Sequence, residues 1–554
     1  MALACFALLG YYFFTGLYCS DDTRYLIGAI KVAVGDPISV ASLAERRAMF
    51  LLPGAMIYSP EVSLEWMIVP YTLLFVALGA IGYLVARQFM EPLAAASSML
   101  LAATQPVFFL YAGAMLPDMP STLFLIAGLL TLCLWLKAVD GMQDSHGRSA
   151  GLAFLLGVNM AMAFTIKESG LVLMPVVAGV VILAGINAGL RRFLRDVCVA
   201  GMGFVLLLCL EALLFKHVAG QWYSSVGSLL VPHDLAGFVA SQGRGIPDRL
   251  HTLKTELGAH TTALFVLAGL STMQLVVRWL RGGMTRTEAL TWLALVGFWL
   301  WPLLYFTFGS ASLKSYLLPV MQQRYYAPSI IPAAVLVVHL GRVGIRTLRR
   351  IFPGWIPATV TALALLCLIS APYLLRRDRG LIYGADAKEA FIQARNDAGR
   401  RYPGVPFHDV QSGWTTDLNR CRALLMPVGA DGRNRLLAAI GSDMDIKGSD
   451  FGYPAFSSWT TPVLVAGHGA YMDEPEAFPW VASLQKAVAA GQVKVTLVGR
   501  YGALPRKALR GKAWLPRTAA VDGAEVFNPV MAGGLHREAT PREVEMYLIE
   551  AAGP

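Results

Sequence analysis

The residues best suited to chemistry begin at Cys19-Ser20-Asp21-Asp22-Thr23-Arg24-Tyr25, directly after the first hydrophobic stretch. Adjacent carboxylates at a membrane boundary cost free energy unless they are paired or solvated, which makes them functional candidates. Such a pair can hold a divalent cation, or one member can take a proton while the other tunes it. Taken alone, the stretch reads equally well as a polar loop ending a helix. Four other features carry charge at the ends of apolar runs. They are Arg46-Arg47; Asp118, between Pro117 and Pro120; the pair Lys167-Glu168, before Ser169-Gly170; and Arg324-Tyr325-Tyr326, followed by Pro328 and Pro332. Arg and Lys suit a phosphate, Arg through its two-pronged fork, and Asp suits a proton or a cation. Each feature also has a plainer reading. Asp118 can be a helix cap, Lys167-Glu168 a self-satisfied ion pair, Arg324 and its tyrosines an interfacial anchor, and Arg46-Arg47 a loose headgroup contact.

The elements that must position these groups are apolar. Of 554 residues, 56% are hydrophobic and 15% charged, where a soluble domain carries about 25% charged residues. Residues 2–18 read as a retained transmembrane helix rather than a signal peptide, with no basic residue before them. Further runs at 66–86, 92–112, 120–136, 150–166, 170–189, 197–215, 260–280, 288–308, 326–341 and 355–375 bring the expectation to about 11 spans. Between the first two lies a polar loop, 19–65, in which Val40–Leu52 has the look of a surface helix. Arg87, Lys137, Arg148, Arg191, Arg192, Arg195, Arg278, Arg281, Arg286, Arg342, Arg346, Arg349 and Arg350 fall in alternate loops. The positive-inside rule sends those loops to the cytoplasm and every feature of the first paragraph to the outer face. The formal charge of +10 is thereby accounted for by orientation, and nucleic-acid binding explains it poorly.

The composition shifts after residue 375, giving two expected domains, 1–375 in the membrane and 376–554 outside it, the latter mixed α/β. Helical spacing covers Ala385–Arg401. Pro462–Ala466 and Val493–Val498 read as strands, Val521–Ala524 as a hairpin turn, and Thr540-Pro541 with Glu543 as a helix start. The seven cysteines have no metal-ligand spacing, and only Cys19 and Cys421 are expected to meet an oxidising compartment. His233-Asp234, His408, His468 and His536 rank below the features above as site residues.

Taken together, Asp21-Asp22-Thr23-Arg24-Tyr25, Asp118-Met119-Pro120, Lys167-Glu168-Ser169-Gly170 and Arg324-Tyr325 with Pro328 and Pro332 resemble the GT-C glycosyltransferases. The resemblance is to their bacterial members related to protein O-mannosyltransferases and to the lipid A aminoarabinose transferase, and it covers residues 1–375. The acidic pair departs from the common Asp-Glu, and Arg46-Arg47 stand where aminoarabinose transferases carry Lys-Pro-Pro. The resemblance implies a multi-pass protein of the bacterial inner membrane, with its C-terminal domain on the periplasmic side. Its implied reaction moves one sugar, with inversion, from a polyprenyl-phosphate donor to a lipid, glycan or protein acceptor. It implies Asp21 as general base, supported by Asp22 and Asp118, which could alternatively hold a divalent cation such as Mg or Mn. Tyr25, Arg46, Arg47, Lys167, Glu168, Arg324 and Tyr325 are implied in substrate binding, with the cations on the leaving phosphate. Two other classes compete. A transporter or flippase predicts charges mid-span and repeated halves; here charges sit at span ends and no repeat is visible. A non-catalytic binding protein predicts that Asp21→Asn changes nothing.

Overall fold

The structure, a computed structural model, describes residues 6–7, 21–35, 38, 44–59, 64–111, 115–140, 146–228, 246–310, 319, 321–351, 394, 397–403, 405, 488–491 and the strands named below. The chain divides into two compact units, residues 1–14, 31–56 and 69–377, and residues 15–30, 57–68 and 378–554.

In chain order the helices are α1 (Asp21–Val34), α2 (Ala48–Ile57), α3 (Val69–Ala86), α4 (Pro92–Ala103), α5 (Pro106–Tyr111), α6 (Asp118–Asp140), α7 (His146–Ile166), α8 (Met174–Ala188), α9 (Leu190–Ala219), α10 (Ser225–Ser228), α11 (Ile246–Leu280), α12 (Arg286–Phe308) and α13 (Ala327–Ile351). Among the described residues, eight helical stretches are long and apolar enough to cross a bilayer, and each coincides with a run read from the sequence. The protein is a polytopic helical membrane protein. The expected span 355–375 lies outside the described residues, as does 2–18 apart from Phe6 and Ala7. The expected span 92–112 is instead two short helices. Pro106 has no N–H to continue the ladder, and Thr104 Oγ1 and Gln105 Nε2 turn back onto the Leu101 carbonyl, at 2.8 and 3.3 Å. Within the expected 19–65 loop, Asp21 begins a helix, and the second helix starts at Ala48 rather than near Val40. That second helix carries no charged side chain, so it is not an amphipathic surface element.

α6 is the most enclosed span and packs on α3, α7 and α12, while α9 keeps only 17% of its apolar stretch buried and turns the rest outward, as a lipid-facing helix does. α7 and α9 approach closely because Gly157 faces the Ala200 backbone and Gly203 the Phe154 backbone, leaving no space for a Cβ at either. At the ends where α6 stops and α9 starts, basic side chains meet helix C-terminal carbonyls, which carry partial negative charge. Arg192 donates to the carbonyls of Ala138 and Val139, at 2.8 and 3.2 Å, and Arg195 to Ser149 Oγ at 2.8 Å.

The second unit contains a six-stranded sheet of β1 (Phe407–Asp409), β2 (Leu424–Leu425), β3 (Val463–Gly467), β4 (Val493–Gly502), β5 (Glu525–Val526) and β6 (Glu543–Ala551). The strand order is 2-1-3-6-4-5, with β1–β3 parallel and the other pairs antiparallel. Val463–Gly467 overlaps the strand read from sequence at Pro462–Ala466, and Val493–Gly502 contains the one read at Val493–Val498. The helix expected from Thr540 is instead β6. Its run of Val544, Met546, Tyr547, Leu548 and Ile549 is rich in β-branched and aromatic side chains, and pairing on both edges with β3 and β4 overrides the capping signal. Ala394, Ala398, Val498, Tyr501 and Met546 pack together, and buried Asp397 accepts from Tyr501 Oη and from Arg401 Nε at 2.9 Å. Residues 521–524, 540–542 and most of 385–396 lie outside the described residues.

Gly157→Ala forces the α7–α9 contact apart and is expected to cost about 1–3 kcal/mol. Gly151→Ala on the same helix, where a Cβ meets nothing within 4 Å, is expected to be neutral or slightly stabilising. Thermal unfolding of the detergent-solubilised chain compares the two.

Candidate functional site

The site grows from the start of α6. Asp118 is the first residue of that helix, where a carboxylate meets the positive end of the backbone dipole. Only 4% of Asp118 is exposed, so its charge needs partners. Oδ1 accepts from Lys167 Nζ, and Oδ2 lies 3.9 Å from Arg324 Nε. Ser121, one turn along, donates its hydroxyl to the Ala163 carbonyl at 3.1 Å and ties the start of α6 to the end of α7.

Lys167 reaches Asp118 because α7 ends there. Its N–H still bonds the Ala163 carbonyl at 3.1 Å, but its own φ of −155° and ψ of 130° are extended, and a 3-10 turn, Glu168–Leu173, follows at once. Gly170 closes that turn by donating its N–H to the Lys167 carbonyl at 2.8 Å. It lies flat against α7, where a Cβ would stand 2.5 Å from the Ala163 carbonyl oxygen. This tight reversal lets neighbouring residues take different partners. Lys167 pairs with Asp118, while Glu168 takes Arg47 on Oε2 at 2.6 Å and Arg46 on Oε1 at 3.2 Å. The turn carrying Arg46 and Arg47 is pinned in turn by the ion pair of buried Glu45 with Lys31, at 2.9 Å.

Arg324 and Tyr325 lie on a 3-10 turn, Gln323–Tyr326, that leads into α13. Arg324 Nε donates to Gln322 Oε1 at 2.9 Å. The Tyr325 ring lies beneath Lys167 Nζ, 4.0 Å from its centroid, and stacks on Phe306 at 5.3 Å. Asp118, Ser121, Thr122, Lys167, Ser169, Arg324 and Tyr325 line a small, partly open hollow with a cavity volume of about 20 Å³, with Leu125, Val172, Leu173, Pro302, Phe306 and Pro328 completing its walls. Arg46, Arg47, Lys167 and Arg324 are the cations and Asp118 and Glu168 the anions of this cluster, four against two, all held in largely buried positions. Burial pushes Lys167 down to about 8; Asp118 opposes that shift, and Arg324 and Arg47 add to it.

The structure thus brings together Arg46, Arg47, Asp118, Lys167, Glu168, Arg324 and Tyr325 from four separate stretches of the first unit. Asp21 and Asp22 form the first turn of α1, but their side chains lie outside the described residues; Tyr25, on the same helix, is buried. His233-Asp234, Cys19 and Cys421 also lie outside them. A divalent cation does not fit at Asp118, whose carboxylate already faces Lys167 and Arg324. Among the described residues no three His, Cys, Asp or Glu side chains come together as metal ligands. Three residues near the site carried no sequence signal of their own. Tyr111 lies within electrostatic reach of Arg324 and Asp118. Arg249 and Glu256 sit in a stretch that reads as loop.

No protein-family model and no curated protein matches the chain. Among solved structures it is similar to the archaeal oligosaccharyltransferase AglB from Archaeoglobus fulgidus, in complex with an inhibitory peptide and a dolichol-phosphate. That similarity has 13% identity and a TM-score of 0.48 over 90% of this chain and 72% of that one. It is also similar to apo ArnT from Cupriavidus metallidurans, at 16% identity and a TM-score of 0.46 over 86% and 93%. For ArnT bound to undecaprenyl phosphate the values are 15% and 0.47, over 86% and 94%.

Gly170→Ala is expected to displace the turn that splits Lys167 from Glu168, at a cost of about 1–3 kcal/mol. Thermal unfolding of the variant, beside Gly151→Ala as a helix control, checks it.

Proposed function

We propose that the chain is a membrane glycosyltransferase that moves a single sugar from a polyprenyl-phosphate donor to a lipid, glycan or protein acceptor on the outer face of the bacterial inner membrane. The observation that carries this reading is the convergence of Lys167, Arg324, Arg46 and Arg47 around two carboxylates at the ends of membrane spans. That is the depth at which a lipid phosphate lies. The hollow beside them is small but joins a charged wall to an apolar one, the pairing of surfaces that the junction of an anionic head and a hydrocarbon chain would meet. The motif resemblance to GT-C glycosyltransferases supports the same reading.

In the reaction the acceptor oxygen bonds to the anomeric carbon from the face opposite the phosphate. The carbon–oxygen bond to phosphate breaks, and the polyprenyl phosphate leaves with that electron pair. Asp21, with Asp22 beside it, takes the acceptor's proton. Lys167 and Arg324 carry the charge that develops on the leaving phosphate, and Arg46 and Arg47 extend the positive field. Asp118 is the counter-ion that keeps Lys167 and Arg324 in place before the donor arrives. Preorganised charge of this kind needs no rearrangement during the reaction.

Radiolabelled polyprenyl-phosphate sugars, offered to membranes containing the chain, test the reading. Label is expected to reach a lipid or protein fraction, and Asp21→Asn is expected to lower that transfer by at least about 100-fold. Absence of transfer across a panel of donors contradicts the reading. The pH dependence is a second check. Lys167 attracts phosphate only when protonated, and burial holds it down to about 8. Polyprenyl phosphate binding is therefore expected to be strongest below that pH and to weaken as pH rises through about 8, whereas Lys167→Arg is expected to stay flat over the same range.

A further inference from the structure

The stretch Ile246–Leu257 is helical and continues into a membrane span, but Gly258, at φ 66° and ψ 172°, interrupts the helix between them. A left-handed φ of that kind sets the first part apart as an arm with its own direction. Arg249, Thr252, Leu253, Glu256 and Leu257 are the arm's less exposed residues, at the i, i+3, i+4, i+7, i+8 spacing of one helical face. Leu253 and Leu257 pack on the apolar core. The two ionisable members of the stripe do something else.

Arg249 is only 2% exposed and spends its guanidinium on backbone oxygens. It donates through Nε to Thr307 at 3.1 Å, and through one terminal nitrogen to Phe306 at 2.7 Å and Pro319 at 2.8 Å. It therefore holds the last turn of α12 and, with the same side chain, the far part of the connection that leads to Arg324. Glu256, two turns along the arm, accepts the backbone N–H of Gln323 at 3.0 Å, which is the first residue of the turn bearing Arg324 and Tyr325. One face of one arm thus grips the α12–α13 connection near its start, near its end and at the site turn itself.

We propose that Arg249 and Glu256 are positioning residues that hold Arg324 and Tyr325 against the lipid-phosphate hollow. The proposal rests on the reading of that hollow given above. A packing role alone would be served by any apolar side chain on this face. A carboxylate aimed at one main-chain N–H, and a guanidinium bridging three carbonyls, fix the connection's path rather than fill space. Phe306, held by Arg249, is also the ring on which Tyr325 stacks, so both grips converge on the same aromatic surface.

The test has two arms on the full-length chain in detergent, with wild type, Glu256→Ala and Glu256→Gln. Hydrogen exchange over residues 321–326 reads the position of the turn, and titration with polyprenyl phosphate reads the hollow. Glu256→Ala is expected to lose exchange protection over 321–326 and to bind about tenfold more weakly, the size expected of one lost buried hydrogen bond. Glu256→Gln, which keeps an acceptor for the Gln323 N–H, is expected to restore both. If Glu256→Ala does not fold, Arg249→Lys, which keeps the charge but loses the fork, is expected to shift both readouts in the same direction. Unchanged exchange, or loosened exchange with unchanged binding, overturns the proposal. If wild type binds no polyprenyl phosphate, the functional reading fails, while the exchange arm still decides whether Glu256 holds the turn.

Discussion

A buried carboxylate at the head of a membrane helix can stay ionised only if a cation reaches it. Asp118 and Lys167 satisfy that constraint together. Removing one partner of such a pair leaves an uncompensated charge and costs about 3–5 kcal/mol. Much of the surrounding geometry follows from keeping the two in contact. α7 must stop at Ile166, Lys167 must adopt extended backbone, and Gly170 must let the chain fold back against α7. Ser121 fastens the same two helix ends by a second bond. Arg324 then joins Asp118 from the far side, and Tyr325 roofs Lys167.

The same residue types serve a different purpose where α6 ends. Arg192 and Arg195 meet carbonyls, a hydroxyl and a neighbouring carboxylate, and the result is a set of satisfied helix ends. Around Asp118 the cations are drawn instead into a largely buried cluster in which they outnumber the carboxylates, beside a hollow with polar and apolar walls. Positive charge at the first location sets orientation and caps helices; at the second it creates a field able to hold an anion. The difference lies in burial and convergence, not in composition.

How much of this the sequence disclosed depends on the range of the interaction involved. Hydrophobic runs of about 20 residues announce themselves, so the eight described spans were legible. So was the recurrence of charge at span ends, which singles out Asp118, Lys167 and Arg324. The break at Thr104-Gln105 was hidden because Pro106 sits inside an otherwise unbroken apolar run. The arm 246–257 reads as loop because its polar residues outnumber the apolar ones. Only the spacing of Arg249, Thr252, Leu253, Glu256 and Leu257 betrays a helical face. Thr540-Pro541 carried a local helix-start signal, but β6 is decided by pairing with β3 and β4, which no local pattern contains. Glu256 could not have been found at all, since its partner is a main-chain N–H 67 positions away.

The central claim is that Asp118 acts on the ligand through Lys167, as the counter-ion that holds it ready for a lipid phosphate. A double-mutant cycle of Asp118→Asn and Lys167→Met, read as polyprenyl phosphate affinity on folded protein, tests it most directly. The account predicts that each single change weakens binding and that the double variant loses clearly less than the sum of the two single losses, the remainder of the Asp118 effect passing through Arg324. Additive losses, or affinity unmoved by Lys167→Met, would contradict it.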